Sequence, residues 1–400
     1  MKRLGLALAG LALAGAVSTA HAQLTMQMGN GWTFTFAGNV NAFFTYEDQS
    51  PGDTPAGGPG AIIGGDFKEA RIRTGLLPAF AVFDAKGKEG NTDLGVHFGF
   101  APQINCADAQ NDCFGAQIDM RQVYLTVGGS WGQILAGREL GLYQRQNILT
   151  DQTLFGIGAT GSSNAGTTNP GGDIGTTLGR IGFGYIYPNF RAQFTYSTPA
   201  GKPSSFSIGI FEATAVGIYT ENELPRVEAE FVYDKSGFKF WLGGLAQSVK
   251  NTVLDESAAS FGGSGGLRWS NANISITGSG YAGKGLGTTL FGLGGSADTG
   301  AGSDDMRTSY GYIGQITFTP SNSKATLAGS YGASTLKAAS DVEGDGSTTN
   351  SLVSGGIYYQ ATKSLKVVGE FNYAWTSNGD GIDTDKNKSI APAVGLMLFF

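Results

Sequence analysis

Apolar and polar residues alternate along this chain. From Trp32 to Tyr46, one parity holds Trp32, Phe34, Phe36, Val40, Ala42, Phe44 and Tyr46. The other holds Thr33, Thr35, Asn39, Asn41 and Thr45. A period of two marks a strand with one apolar and one polar face. The pattern returns over Phe67 to Asp84, Thr92 to Phe100, Met120 to Val127, Gln133 to Arg138, Arg180 to Thr198, Ser205 to Glu212, Arg226 to Asp234 and Phe238 to Gln247. Three more pairs flank the turns Ser270 to Asn273, Pro320 to Ser323 and Thr362 to Ser364, and a last strand runs from Ser389 to Phe400. The reading gives sixteen strands, with short turns alternating with long polar loops. Charged residues fall on the polar parity: Arg226, Glu228 and Glu230 on one strand, Lys366 and Glu370 on another.

Alternation fails over one long stretch, Glu139 to Gly179. Structureless connections of this length are uncommon and are functional or disordered. This one carries Leu142, Tyr143, Ile148, Leu149, Leu154, Phe155 and Ile157, which a disordered linker rarely does. It therefore reads as a loop that packs against something. A Gly/Ser/Thr/Asn part, Ala159 to Gly172, follows.

Both ends of the chain change the picture. Lys2 and Arg3, an apolar run from Leu4 to Val17 and the Ala20-His-Ala22 site form a secretory signal, so residues 1–22 are expected to be removed and 23–400 to form one domain. After Ala22 no apolar run is long enough for a membrane helix. A mean hydropathy of -0.06 nevertheless suits a barrel in which every second residue faces water. The last residues put Val394, Leu396, Leu398 and Phe400 on one face, and a strand ending in an aromatic residue is an outer-membrane barrel ending. Without Lys2 and Arg3 the chain holds 24 basic and 32 acidic residues and no basic cluster, which speaks against nucleic acid.

In lipid every backbone N–H and C=O needs a partner inside the protein, which strands achieve only as an edgeless sheet. The expected fold is thus an all-β, closed antiparallel transmembrane β-barrel of about sixteen strands. At that width side chains do not fill the lumen, so it is expected to hold water, with polar inward residues needing no partners.

The segment Met120-Arg-Gln-Val-Tyr-Leu-Thr-Val127 and then Gly132-Gln-Ile-Leu-Ala-Gly-Arg138, followed by a long third external loop, resembles the general porins of Gram-negative bacteria. The signal peptide, the strand count and Phe400 are similar too, so the resemblance spans essentially the whole mature chain. It implies an outer-membrane homotrimer passing small hydrophilic solutes and ions, with the third loop folded into the lumen. It also implies a basic pore wall at Arg71, Arg73, Arg121 and Arg138, faced by the loop acids Glu139 and Asp151. The chain departs from that pattern in having no acid from Gln152 to Gly172.

By alternation all four arginines point inward, because Ile72, Met120 and Gly137 take the other face. The plainer reading pairs them with Glu69 and Asp119 as solvated lumen residues. His97, the one histidine after the signal, lies on the inward face of strand three, and a hydrolase would need an acid to hold it beside a nucleophile. Cys106 and Cys113, in an exported chain, are expected to form a disulfide in an external loop. The acidic segments Asp341 to Gly346 and Asp380 to Asp385 do not fit a twelve-residue calcium loop and read as solvated tips. No cofactor or metal is expected. The functional expectation is a non-enzymatic diffusion channel, with a substrate-selective channel for an anion or a sugar as the rival, and a barrel enzyme or surface-binding protein behind it.

Overall fold

The structure, a computed structural model, describes residues 24–29, 31–53, 60–104, 118–161, 176–214, 219–221, 224–251, 255–289, 306–339, 346–379 and 385–400. The cleavage site, Cys106 and Cys113, and most of both acidic tips lie outside them. The strands in order are β1 Leu24–Gln27, β2 Thr33–Ser50, β3 Phe67–Arg73, β4 Phe80–Glu89, β5 Thr92–Pro102, β6 Ile118–Gly129, β7 Gly132–Leu140, β8 Phe190–Ser197, β9 Ser204–Phe211 and β10 Tyr219–Glu221. They continue as β11 Arg226–Lys235, β12 Phe238–Asn251, β13 Glu256–Ser270, β14 Ile274–Lys284, β15 Thr308–Phe318, β16 Ala325–Lys337, β17 Ser347–Gln360, β18 Leu365–Asn378 and β19 Asn387–Phe399. A short helix α1, Arg145–Thr150, lies between β7 and β8.

Every described strand pairing is antiparallel. The last strand, β19, pairs with β2 in the register Leu396↔Ala42 and Leu398↔Val40, which closes the sheet. β3 and β4 both pair with β2 and form one interrupted stave, while β1 and β10 are short additions, so the wall has sixteen staves. Closure leaves no long edge to face lipid.

The alternation has its expected meaning. On β2, Val40 and Phe44 are about half exposed on the outer face, whereas Asn39, Asn41, Thr45 and Glu47 are buried on the inner one. Outer positions on the other staves repeat this, as Leu267, Ile316 and Phe371 do. Two aromatic bands bound the apolar belt. Trp131, Tyr196, Trp269 and Tyr359 stand near the short turns. Tyr46, Tyr331, Tyr373 and Trp375 stand toward the long loops. Amphipathic rings of this kind mark the two membrane surfaces of such barrels.

Two expectations need correction. The stave read as continuous from Phe67 to Asp84 breaks, and Thr74 to Ala79 leave the wall and are buried inside. Pro78 lacks the N–H a ladder needs, and adjacent Leu76 and Leu77 cannot both face lipid. Side chains of β2 fill the gap: Asn41 Nδ2 donates to the Leu77 carbonyl at 2.8 Å and Asn39 Nδ2 to that of Pro78 at 3.1 Å. The stretch read as strand from Arg180 onward joins the wall only at Phe190, so the third loop extends from Gly141 to Asn189. Its neck is closed by the Gly141 N–H donating to the Asn189 carbonyl at 2.8 Å.

The lumen is also not simply water. Leu76, Leu77 and Phe80 meet Ile148, Leu154, Ile157, Ile181 and Phe183 of the loop in an apolar core inside the barrel. That core packs on inward residues such as Phe43, Leu352 and Val368.

Candidate functional site: the lumen and its inserted loop

A loop without regular structure inside a barrel carries amides and carbonyls that need partners. The wall supplies them in a circuit. Glu228 on β11 accepts from the amides of Leu142 at 2.7 Å and Tyr143 at 2.9 Å. Glu230 accepts from Arg145 Nη2 at 2.6 Å and Gln146 Nε2 at 3.1 Å, which seats the start of α1. Trp241 Nε1 on β12 donates to Asn147 Oδ1 at 2.8 Å. Gln315 on β15 accepts from the Gln152 amide at 2.7 Å and donates to the Thr150 carbonyl at 3.0 Å.

Further along, Glu370 on β18 accepts from the amides of Ile157 at 2.7 Å and Gly158 at 3.0 Å. It is held in turn by the Tyr358 hydroxyl and by Asn372. Gly156 lets the loop come this close, since a Cβ there would lie 2.0 Å from Glu370 Oε1. Thr160 then donates to Glu47 on β2. On the returning limb the charged anchors are guanidiniums, one from the wall and one from the limb itself. Arg73 Nη2 donates to the Thr176 carbonyl at 2.7 Å. Arg180, fully buried, reaches from the loop to the Leu352 carbonyl at 3.0 Å and to Ser330 Oγ at 2.5 Å.

The predicted pore residues do not gather into one basic wall facing loop acids. Arg71 points inward and pairs with Glu69 at 3.3 Å. Arg73 points inward onto the loop. Arg121 points inward through a bulge: Gly99 pairs with Gln122 and Phe100 with Met120, so Arg121 has no cross-strand partner on β5. Its Nη1 donates to the Tyr187 hydroxyl at 3.3 Å, its guanidinium stands 5.9 Å from the Phe190 ring centroid, and it lines a cavity of about 20 Å³ with Leu76, Ile148 and Leu154. That is room for about one water, not a passage.

Arg138 is a correction. It is exposed and shares the outer parity of Ile134 and Ala136 on β7, opposite exposed Ala192 of β8. The face assigned to Gly137 was in fact the inner one. Glu139 faces inward, but it is buried in the wall, accepting from Gln122 Nε2 at 2.8 Å and from the Leu140 amide at 2.7 Å. Asp151 turns back into its own loop. It caps the turn Gln152–Phe155 through the Thr153 amide at 2.9 Å and accepts from the Tyr185 hydroxyl at 3.0 Å. Burial pushes Asp151 above the usual carboxylate range, against the pull of Arg180 and its hydrogen bonds. Burial likewise lowers Arg180, against the carboxylate of Asp151.

His97 is buried, with Nδ1 2.9 Å from Asp84 Oδ1 and its ring stacked on Tyr124 at 4.5 Å. The acid beside it is Asp84 of the neighbouring strand. Among the described residues no group of three metal-ligating side chains occurs. The residues that sequence reasoning missed are the anchors: Glu228, Glu230 and Glu370 were legible as inward, but nothing in their own strands names the loop as their partner.

A closed wall of sixteen antiparallel staves, apolar outside and polar inside, with a loop anchored across its lumen, is the architecture of outer-membrane porins. No protein-family model and no curated protein sequence matches the chain. Its fold is similar to that of the outer membrane channel DcaP of Acinetobacter baumannii, at 14% identity and a TM-score of 0.68, covering 94% of this chain and 99% of that one. It is similar to an anion-selective porin from Comamonas acidovorans, at 12% identity and a TM-score of 0.62, covering 92% and 100%. A third neighbour is OmpF of Salmonella typhi in complex with daunomycin, at 14% identity and a TM-score of 0.59, covering 94% and 100%.

Proposed function

We propose that the chain is a porin of the Gram-negative outer membrane, a water-filled channel through which small hydrophilic solutes and ions diffuse passively, with no chemistry performed on them. The observation that carries this is the anchored loop: a barrel wide enough to conduct, narrowed by a segment held to the wall at β2, β11, β15 and β18. Its outer face meets lipid. Purified protein in a planar bilayer should give discrete conductance steps, smaller than an unobstructed sixteen-stave barrel would give; silence at all voltages would overturn the reading.

A substrate-selective channel is the second reading, favoured by the apolar core that the loop builds within the lumen. A solute that saturably blocks conductance would single it out. An enzymatic barrel is disfavoured because His97, the group best suited to proton transfer, is buried between Asp84 and the Tyr124 ring. We take the assembly to be a homotrimer, the form in which the in-vitro folded OmpT of Vibrio cholerae is described. Conductance in triplets and a trimer mass in mild detergent test that.

A further inference from the structure

Near the short turns, β12, β13 and β14 bring three inward positions into one row. The register pairs Lys239 with Arg268, and Arg268 with Thr277. Each shares the parity of buried inner residues on its own strand: Trp241 on β12, Ser264 on β13 and Tyr281 on β14. Neighbouring strands stand about 4.8 Å apart, so the row spans about 10 Å, the width over which two or three donors converge on one small oxyanion.

Two like charges directly opposite one another on a sheet are unfavourable. The usual relief is an ion pair, and neither Lys239 nor Arg268 has one, or a hydrogen bond, among the described residues. The Arg268 Nε and the Thr277 hydroxyl are moreover buried without a partner. A buried donor left unmade is costly and calls for an explanation. The nearest acids do not remove the imbalance. Glu230 is committed to Arg145 at 2.6 Å and to Gln146. Asp234 sits across from Lys239 in the register but is exposed at the rim.

We propose that Lys239, Arg268 and Thr277 form a subsite for a small oxyanion, the carboxylate or phosphate group of a passing solute, at the short-turn mouth of the lumen below α1. An anion there receives charge-assisted hydrogen bonds from the ammonium and the guanidinium and a hydroxyl bond from Thr277, and it relieves the repulsion between the two cations. It gives the channel an anion-retaining station away from the arginines of β3 and β6. The proposal rests on the channel reading for its consequence in transport, but not for binding itself.

The test uses the full mature protein in planar bilayers with inorganic phosphate as probe, added on each side in turn. Wild type should show saturable phosphate reduction of the chloride-salt conductance and a reversal potential shifted toward anions. K239Q/R268Q should raise the half-blocking phosphate concentration about tenfold or more and move the reversal potential toward cations, and T277V should weaken block by a few-fold. The charge-preserving pair K239R/R268K should retain block, which separates lost charge from a disturbed wall. Block at wild-type concentration in K239Q/R268Q, or no block in a conducting wild type, overturns the subsite. If the wild type conducts nothing, the channel reading fails instead. Calorimetric titration of detergent-solubilised protein with phosphate then decides the subsite: heat lost in K239Q/R268Q supports it, and no heat in wild type overturns it.

Discussion

The charged groups of the wall hold the outgoing and the returning limb of the loop by opposite means. On β11 and β18, carboxylates accept from backbone amides: Glu228 from two, Glu370 from two. On β3 and β6, guanidinium groups donate to a carbonyl and a hydroxyl. The outgoing limb offers N–H groups to these carboxylates and the returning limb offers oxygens to these guanidiniums, while Arg180 of the returning limb itself donates to the wall. Most of this inward charge is consumed in positioning the loop. The lesson concerns selectivity: a charge that anchors a loop is already neutralised by its partner, so the charges that act on ions are those left over.

The contrast can be broken most severely at Glu228. With Arg226 it forms a buried pair at 2.5 Å, both residues 1% exposed. Glu228→Ala strands that guanidinium along with two amides, and a pair broken on one side costs roughly 3–5 kcal/mol. The expected result is a large drop in thermal stability in detergent and a loop cleaved by protease. Glu370→Ala comes next. Two amides lose their acceptor, at about 1–3 kcal/mol for each one left buried. Here the barrel should survive while the loop loosens, so conductance should rise and become noisy; an unchanged quiet conductance would mean that this wall does not hold the loop.

The guanidinium anchors should respond less. Arg73→Met removes one donor to the Thr176 carbonyl and should cost about 1–3 kcal/mol, read as a modest fall in melting temperature. Arg71→Gln should shift the reversal potential only slightly toward cations, because Glu69 already offsets Arg71. Arg138→Gln should leave selectivity untouched, since that side chain is on the outer face. A clear selectivity change from Arg138→Gln, measured as reversal potential at low salt, would restore the basic wall expected from the sequence.

How far the sequence reaches follows from the range of the signal. Alternation is local, and it placed Val40, Asn41, Glu228 and Glu370 on the correct faces. It failed at Arg138 because Gly137 has no side chain to declare its face, although Ile134 and Ala136 carried the needed parity. Arg121 came out inward for an incomplete reason, since it depends on a bulge against β5. Pro78 and the Leu76-Leu77 doublet were a readable warning of the broken stave. The assignment of Arg180 to a strand failed because its buried partners lie on β16 and β17, 150 and 172 residues away in sequence. No periodicity reports such a contact.

The anchoring pattern also dictates an order of events. The loop precedes Glu228, Gln315 and Glu370 in sequence, and the Ile157 contact with Glu370 spans 213 residues. Hairpins such as β6–β7 can form from neighbours alone. Part of its seat, Glu47 and Arg73 among it, precedes the loop, but the seat is complete only once β11, β15 and β18 have arrived and β19 has met β2. Its amides must stay solvated until then, because long-range contacts are rewarded only after their entropy cost has been met. The segment that narrows the lumen thus completes its contacts only after the later staves are in place, so the channel takes its final bore last.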